Sequence, residues 1–352
     1  MRTCLKACLG AWFASLSFIG AAWADDVADF YRGKQVQVIV GYGPGGGYDV
    51  YARLLARFIG KHLPGEPLAI LQNMPGAGSL VAANYIYNVA PKDGTVFGMF
   101  ARNMPLIAIL GINPSVKFDP RKFTWLGTSS SFEEDAYIMW VRKDAKVQNI
   151  EQARVANGPP VVLGGTGEGA TGNDVPVILH EALGINVKQI IGYPDSNALF
   201  LAIERGEIEG RTTDYSSVVS SRPYWLKPDS PVHALMQFAR KTRHPDFPDI
   251  PTARELARTD EARTLIELAE MPYLFSRPYA APPNVPKDRA AALQKAFMDT
   301  HADPDYLDEA KKLGLFMSPL SGDELVKVLD QISTAPADQI AKLKRIYQDS
   351  KN

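Results

Sequence analysis

Gln35 to Ile59 reads QVQVIVGYGPGGGYDVYARLLARFI, and three kinds of local order follow one another within it. The β-branched run around Val36, Val38, Ile39 and Val40 favours an extended strand. The glycine-rich GPGGG at 43–47 turns the chain. Val50, Leu54, Phe58 and Ile59 then recur at helical spacing, so the stretch is strand, loop and helix.

The unit repeats. Residues 68–71 predict a second strand, 73–78 a second loop, and Ala82, Tyr85, Ile86 and Val89 a second helical face that Pro91 stops; 95–100 predict a third strand. Strands alternating with helices of this length imply βαβ crossovers and a parallel arrangement. The order returns in mid-chain: strand 161–163, the loop GGTGEGATG at 164–172, and helix 174–183 with Pro176 in its first turn. Strand 187–191, loop GYPDSN, helix 198–205 with Gly206 as cap, and strand 208–212 complete it. Two α/β units of one layout predict two lobes. The tail predicts a helix from Ala253, the strand-like PYLFSRPYAAPP, and amphipathic stretches at 287–300 and 322–348, which are too short for a third core.

The first 24 residues carry the parts of an export signal. Arg2 and Lys6 make a positive start, residues 9–19 an apolar stretch too short to span a bilayer comfortably, and Ala22-Trp23-Ala24 a cleavage pattern. Cleavage is expected after Ala24, giving a periplasmic protein. Both cysteines, Cys4 and Cys8, lie in this segment, so the mature fold must rest on core burial alone. Removing Arg2 and Lys6 from the 38 basic residues leaves 36 against 39 acidic ones, a charge near −3. Nothing in that balance argues for nucleic acid.

Two stretches match G-x-G-x-x-G, at Gly41–Gly46 and Gly167–Gly172. Such glycines let backbone approach a ligand and aim helix N–H groups at negative charge. A dinucleotide site also needs an acidic residue about twenty positions on, where Gln72 and Asn73 stand. The anion cradle is therefore retained and the dinucleotide rejected. There is no G-x-S-x-G elbow, no H-E-x-x-H and no Cys/His ligand spacing, and the five histidines are scattered. The chain is expected to have no catalytic residue, metal or cofactor.

The runs YRGKQVQVIVGYGPGGGYDVYARLLARFI and NMPGAGSLVAANYIYNVAPKDGTVFG, with GGTGEGATG, GYPDSNALFLAIERGEIEG, RHPDFPDIPTARELA and RPYAAPPNVPKDRAAALQKAF, resemble the Bug family, the periplasmic substrate-binding components of tripartite tricarboxylate transporters. The resemblance covers nearly the whole mature chain. It implies a two-lobed Venus-flytrap of the α/β class, each lobe a mainly parallel sheet flanked by helices. Lobe one would comprise 25–126 and 238–352, lobe two 127–237, with the carboxy-terminal helices completing lobe one. It implies a small carboxylate held between the lobes by loop amides, helix N-termini and bridging water. Carried onto this chain, the cradle is Tyr42, Pro44, Gly45, Gly46 and Gly47 with Ala77, Gly78 and Ser79 on lobe one. On lobe two it is Gly165, Thr166, Gly167 and Thr171, then Tyr193, Ser196 and Asn197.

Neither loop of lobe one contains Lys or Arg, so backbone dipoles must capture the anion there. Asp49 is expected as a helix-capping carboxylate. The family's serine-rich loop and Tyr-Lys-Gly turn are replaced by Glu168, Asn173 and Asp174 and by Tyr193-Pro194-Asp195. Carboxylates beside an anion site oppose binding unless they face solvent or a cation, which makes an amino acid an alternative ligand. Arg102, at the carboxyl edge of the third strand, and Arg211, on the last strand of the second unit, are candidates for clamping a distal carboxylate, with Arg102 preferred. Trp125, Phe132 and Tyr137 are candidates for a cleft wall, with plain core the competing role.

The expected function is a monomeric extracytoplasmic binding protein that delivers its ligand to inner-membrane permease subunits. A sensor presenting the closed form to a receptor kinase, and an exported enzyme acting on a phosphorylated substrate, are the alternatives.

Overall fold

The computed structural model describes residues 26–131 and 134–349. The export signal and Phe132 lie outside the described residues. In chain order the strands are β1 (Gln35–Val40), β2 (Leu68–Asn73), β3 (Val96–Met99), β4 (Thr124–Thr128), β5 (Tyr137–Arg142), β6 (Val161–Gly165), β7 (Val187–Ile191), β8 (Gly210–Asp214), β9 (Val232–Phe238), β10 (Pro278–Ala281) and β11 (Leu320–Ser321). The principal helices are α1 (Gly47–His62), α2 (Leu80–Asn88), α3 (Met104–Leu110), α4 (Thr171–Leu183), α5 (Ser196–Glu204), α6 (Tyr215–Ser221), α7 (Asp260–Glu270), α8 (Lys287–Ala302), α9 (Pro304–Lys312), α10 (Gly322–Ser333) and α11 (Ala337–Asp349).

The strands form two sheets, ordered β11-β4-β10-β3-β1-β2 and β7-β6-β8-β5-β9. In the first, β1 lies parallel between β2 and β3, as the βαβ reading requires. In the second, β6 lies parallel between β7 and β8. Both sheets are mixed. Strand β10 runs antiparallel between β3 and β4 in the first sheet, and β5 runs antiparallel between β8 and β9 in the second. Each is the strand by which the chain enters that sheet from the other lobe.

The amphipathic side of α1 shows how the first sheet is covered. Tyr51, Leu54, Leu55, Phe58 and Ile59 are buried, each such side chain contributing about 1.5–3 kcal/mol. Trp125 belongs to this core as well: it packs on Phe100 and Phe123, and its indole N–H donates to the Pro120 carbonyl. It forms no part of a cleft wall.

One expectation is corrected. The carboxy-terminal helices do not all complete lobe one: α8 and α10 pack on the first sheet, but α7 and α11 pack on α4 of the second lobe. The reason is apolar matching. Leu265, Ile266 and Leu268 of α7 and Leu343 and Ile346 of α11 share one core cluster with Val175, Ile178 and Leu179 of α4. The predicted long helix at 322–348 is two, interrupted around Pro336.

The two crossing segments are bound to each other. Ser129 donates its N–H to the Arg277 carbonyl at 3.2 Å, and Ser276 donates to the Ser130 carbonyl at 2.9 Å. This pair of segments, joined by backbone bonds, is a seam at which the sheets could hinge, alongside the crossing between α10 and α11.

Candidate functional site

The two glycine-rich halves meet. An open cleft of about 480 Å³ is lined by Tyr42 and the 75–79 loop from one lobe and by Thr166, Gly192, Tyr193 and Pro194 from the other. Beneath it lies a small cavity of about 20 Å³, sharing Tyr42 and Thr166 and lined also by Tyr48, Tyr137, Thr171, Ser196, Arg211, Asp214 and Ser217. That is room for a group about the size of one water. A separate depression of about 490 Å³ between α4 and α11 contains none of the loop residues.

Of the residues expected from the sequence, Tyr42, Ala77, Gly78, Ser79, Thr166 and Tyr193 line the cleft, while Thr171 and Ser196 line the cavity. Gly46 and Gly167 sit on the seam: a Cβ at Gly46 would lie 3.5 Å from Ser196 Cβ, and one at Gly167 would lie 3.0 Å from the Gly78 nitrogen. At Gly46 a methyl group would make ordinary contact, whereas at Gly167 it would crowd the Gly78 backbone. Gly47 faces the Ser217 hydroxyl in the same way. Pro44 and Gly45 are exposed at the rim, Gly165 accepts the Gly192 and Tyr193 N–H groups, and Asn197 accepts from Arg222.

The loop amides are only partly bare. Gly45 N–H donates to Asp49, Gly167 N–H to Asn173, and Gly169 N–H to Asp174. Asp49 therefore does not cap α1 at Gly46, where no side-chain cap exists; it closes the turn from inside the helix, with Asn73 donating to the same carboxylate. Helix α4 likewise starts at Ala170 without a side-chain cap, and its first turn lines the cavity. Two uncapped helix starts, one per lobe, thus adjoin the same small space, each a source of partial positive charge. Helix α5 differs, because Asp195 caps it through Ala198 N–H.

The acidic departures noted in the sequence are accounted for. Asp174 accepts from Asn103 of lobe one, and Glu168 from Asn113. The Asp195 carboxylate abuts Gly43 across the cleft.

The cationic side chains divide. Arg102, placed at the edge of β3 as expected, is 1% exposed; it donates to Asp214 at 2.5 Å, to the Tyr48 hydroxyl and to Ser276. Arg277 reaches the same Asp214 oxygen at 3.2 Å. Burial opposes ionisation of Asp214, but the two guanidinium groups outweigh it and hold the carboxyl at about 2. Arg211 shares no carboxylate. Sequence reasoning missed Asp214, Ser217 and Arg277, none of which falls in a glycine-rich motif; the one usable signal was the position of Asp214 at the carboxyl end of a strand. Of the aromatic candidates, Tyr137 does reach the cavity, donating to Thr171 at 2.8 Å.

No protein-family model matches the chain. BugT of Bordetella pertussis is 35% identical over 91 residues, which is 26% of this chain and 27% of that relative's length. A UPF0065 protein of the same organism is 23% identical over 317 residues, covering 87% of this chain and 88% of the relative. The structure of the periplasmic binding protein BugD superposes with a TM-score of 0.69 at 20% identity, covering 91% of this chain and 99% of that one. MatC from Rhodopseudomonas palustris with bound malate gives 0.66 at 19% identity, covering 90% and 99%. The two-lobed periplasmic binding protein fold and the resemblance to the Bug family are both borne out.

Proposed function

We propose that this protein is an extracytoplasmic solute-binding protein that captures a small carboxylate between its lobes and delivers it to a membrane permease. One observation carries the reading: an uncapped helix N-terminus from each lobe adjoins a single cavity at the seam. A carboxylate at this seam gains from both helix dipoles at once, and only when the lobes are together. A ligand that prefers the closed form shifts the population toward it by its difference in affinity for the two states. The bound malate in a protein of the same fold supports a carboxylate as the ligand.

In this reading residues 127–237, together with α7 and α11 packed on them, move as one lobe against the rest of 25–126 and 238–352, and the protein works as a monomer by binding and presentation, without catalysis. Export follows cleavage after Ala24 into the periplasm; no helix among the described residues is long and apolar enough to cross a membrane.

The test is a melting-temperature screen of the exported protein against carboxylic acids and amino acids, followed by small-angle scattering with any hit. A ligand at a hundredfold excess over its Kd stabilises by about 2.7 kcal/mol. Failure of the whole panel, or a hit with no compaction, rejects the reading.

A further inference from the structure

We propose that Arg211 is the residue through which this protein reads ligand charge: its guanidinium pairs directly with a second anionic group of the ligand, beyond the carboxylate that the helix starts and loop amides hold. This rests on the cleft being the ligand site. It departs from capture by amides and water alone, the mode implied by the family resemblance.

The argument begins from what Arg211 lacks. It is 5% exposed, on β8, and lines the small cavity. Its Nη1 donates to the Ser196 carbonyl at 3.2 Å, a neutral acceptor, while its Nε has no hydrogen-bond partner. Among the described residues no carboxylate lies within ion-pair distance of it. A guanidinium cannot shed its proton to escape this. A buried cation left this way is costly unless something pairs with it.

The neighbourhood offers no spare negative charge. Asp214, three residues along the same strand, already serves Arg102 and Arg277. Asp195 is occupied as the cap of α5. Asp135 has its carboxyl pushed up to about 6 by burial and by the charge of Asp214, and it accepts from the Ser216 backbone and hydroxyl. Two buried guanidinium groups thus share one strongly acidic carboxylate, and the third, Arg211, is left on the cavity side without one. The face of Phe200, 5.0 Å from the Arg211 guanidinium, holds its plane in place, which fixes the direction of its free N–H group. Planar, pre-set donors of this kind suit a carboxylate.

The geometry then ranks ligands. A chain with carboxylates at both ends lies in the 480 Å³ cleft, with one against the 75–79 loop at the seam, and directs the other into the small cavity toward Arg211. A monocarboxylate of equal length leaves Arg211 unpaired, and an ammonium group brought to it is repelled.

The test is calorimetry on the exported protein with succinate, glutarate and adipate against butyrate, valerate and hexanoate, and with glutamate. The wild type is expected to prefer dicarboxylates by tenfold or more, and Arg211→Gln to weaken them about a hundredfold, bringing the ratio to the monocarboxylates near one. Arg211→Lys is expected to restore part of the preference, since charge survives and fork geometry does not. Equal wild-type affinity for both classes overturns the proposal without any variant, and so does an Arg211→Gln protein, folded by circular dichroism, that keeps the preference. A wild type that binds monocarboxylates and glutamate alone leaves the cleft reading standing and removes Arg211. Binding of no carboxylate at all removes both.

Discussion

Asp214 at the end of β8 accepts a hydrogen bond from the Arg102 guanidinium at 2.5 Å, so the last residue of a second-lobe strand is held by the segment that follows β3 of the first. Arg277 adds a second tie to the same oxygen. Replacing Asp214 by Asn leaves two buried guanidinium groups without a counter-charge. The expected cost is about 3–5 kcal/mol in denaturant unfolding, with a larger radius of gyration by scattering. A change below about 0.5 kcal/mol would show that the ties contribute nothing.

The pH dependence follows from Asp214 and Asp135, with opposite signs. The Asp214 carboxyl titrates at about 2 when folded, below its unfolded value, so its contribution is present above about pH 4 and is lost as pH falls toward 2. Burial and the charge of Asp214 push Asp135 up to about 6. The folded state thus holds that proton more tightly, and the stabilisation it brings is full below about pH 4 and lost as pH rises through 6. Asp135 is expected to contribute a downward slope of about 3 kcal/mol between pH 4 and 6, to which Glu270, pushed up to about 7 by burial, adds and which His301, pushed down to about 4 by burial, opposes. In Asp135→Asn that slope should vanish while the loss below pH 4 remains. A variant that keeps the slope assigns it to some other group.

Gly43 is a position where closure and folding separate. A methyl group there meets first the atoms of Asp195, which belong to the other lobe. Gly43→Ala is expected to fold normally and to close poorly, with ligand affinity lower by about tenfold to a hundredfold and a melting temperature in the absence of ligand within a few degrees of wild type. Wild-type affinity in this variant would mean that the lobes do not approach in solution as they do in the structure.

The parts of the fold legible in the sequence are those with local periodicity. The units around β1, α1 and β2 and around β6, α4 and β7 were each set by a β-branched run, a glycine turn and a helical face. Strands β5 and β9 escaped, because YIMWVR and VHALMQF are buried on both faces and lack the alternation of a half-buried strand. The same divide runs through the site. Thr166, Tyr193 and Ser196 follow from glycine-rich turns, whereas Asp214 and Arg277 are 63 residues apart and become partners only through the pairing of lobes. Position at the edge of β3 favours Arg102 over Arg211 for a second carboxylate, but Asp214, which the sequence does not place, pairs with Arg102 and leaves Arg211 without a carboxylate. The assignment of α7 and α11 to lobe one failed for a related reason: an amphipathic helix specifies that one face is buried but not against which partner.

Asp49 tests how the first glycine turn is held. Its carboxylate is 2% exposed and accepts from Gly45 N–H at 2.9 Å, from Asn73 at 2.8 Å and from Arg53 at 2.8 Å. Two of these donors belong to the ligand loops, while the third is half exposed. If the carboxylate acts by fixing the loops, Asp49→Ala should cost about 1–2 kcal/mol through loss of its hydrogen bonds from Gly45 and Asn73, and should weaken ligand binding about tenfold because the loop must then be ordered on binding. Arg53→Ala removes only a partly solvated ion pair and should cost less than about 1 kcal/mol with affinity unchanged. Unfolding and calorimetry on the two variants separate the cases. Equal losses in both would transfer the effect from the loop amides to the Arg53 ion pair, and the turn would then owe its shape to its glycines alone.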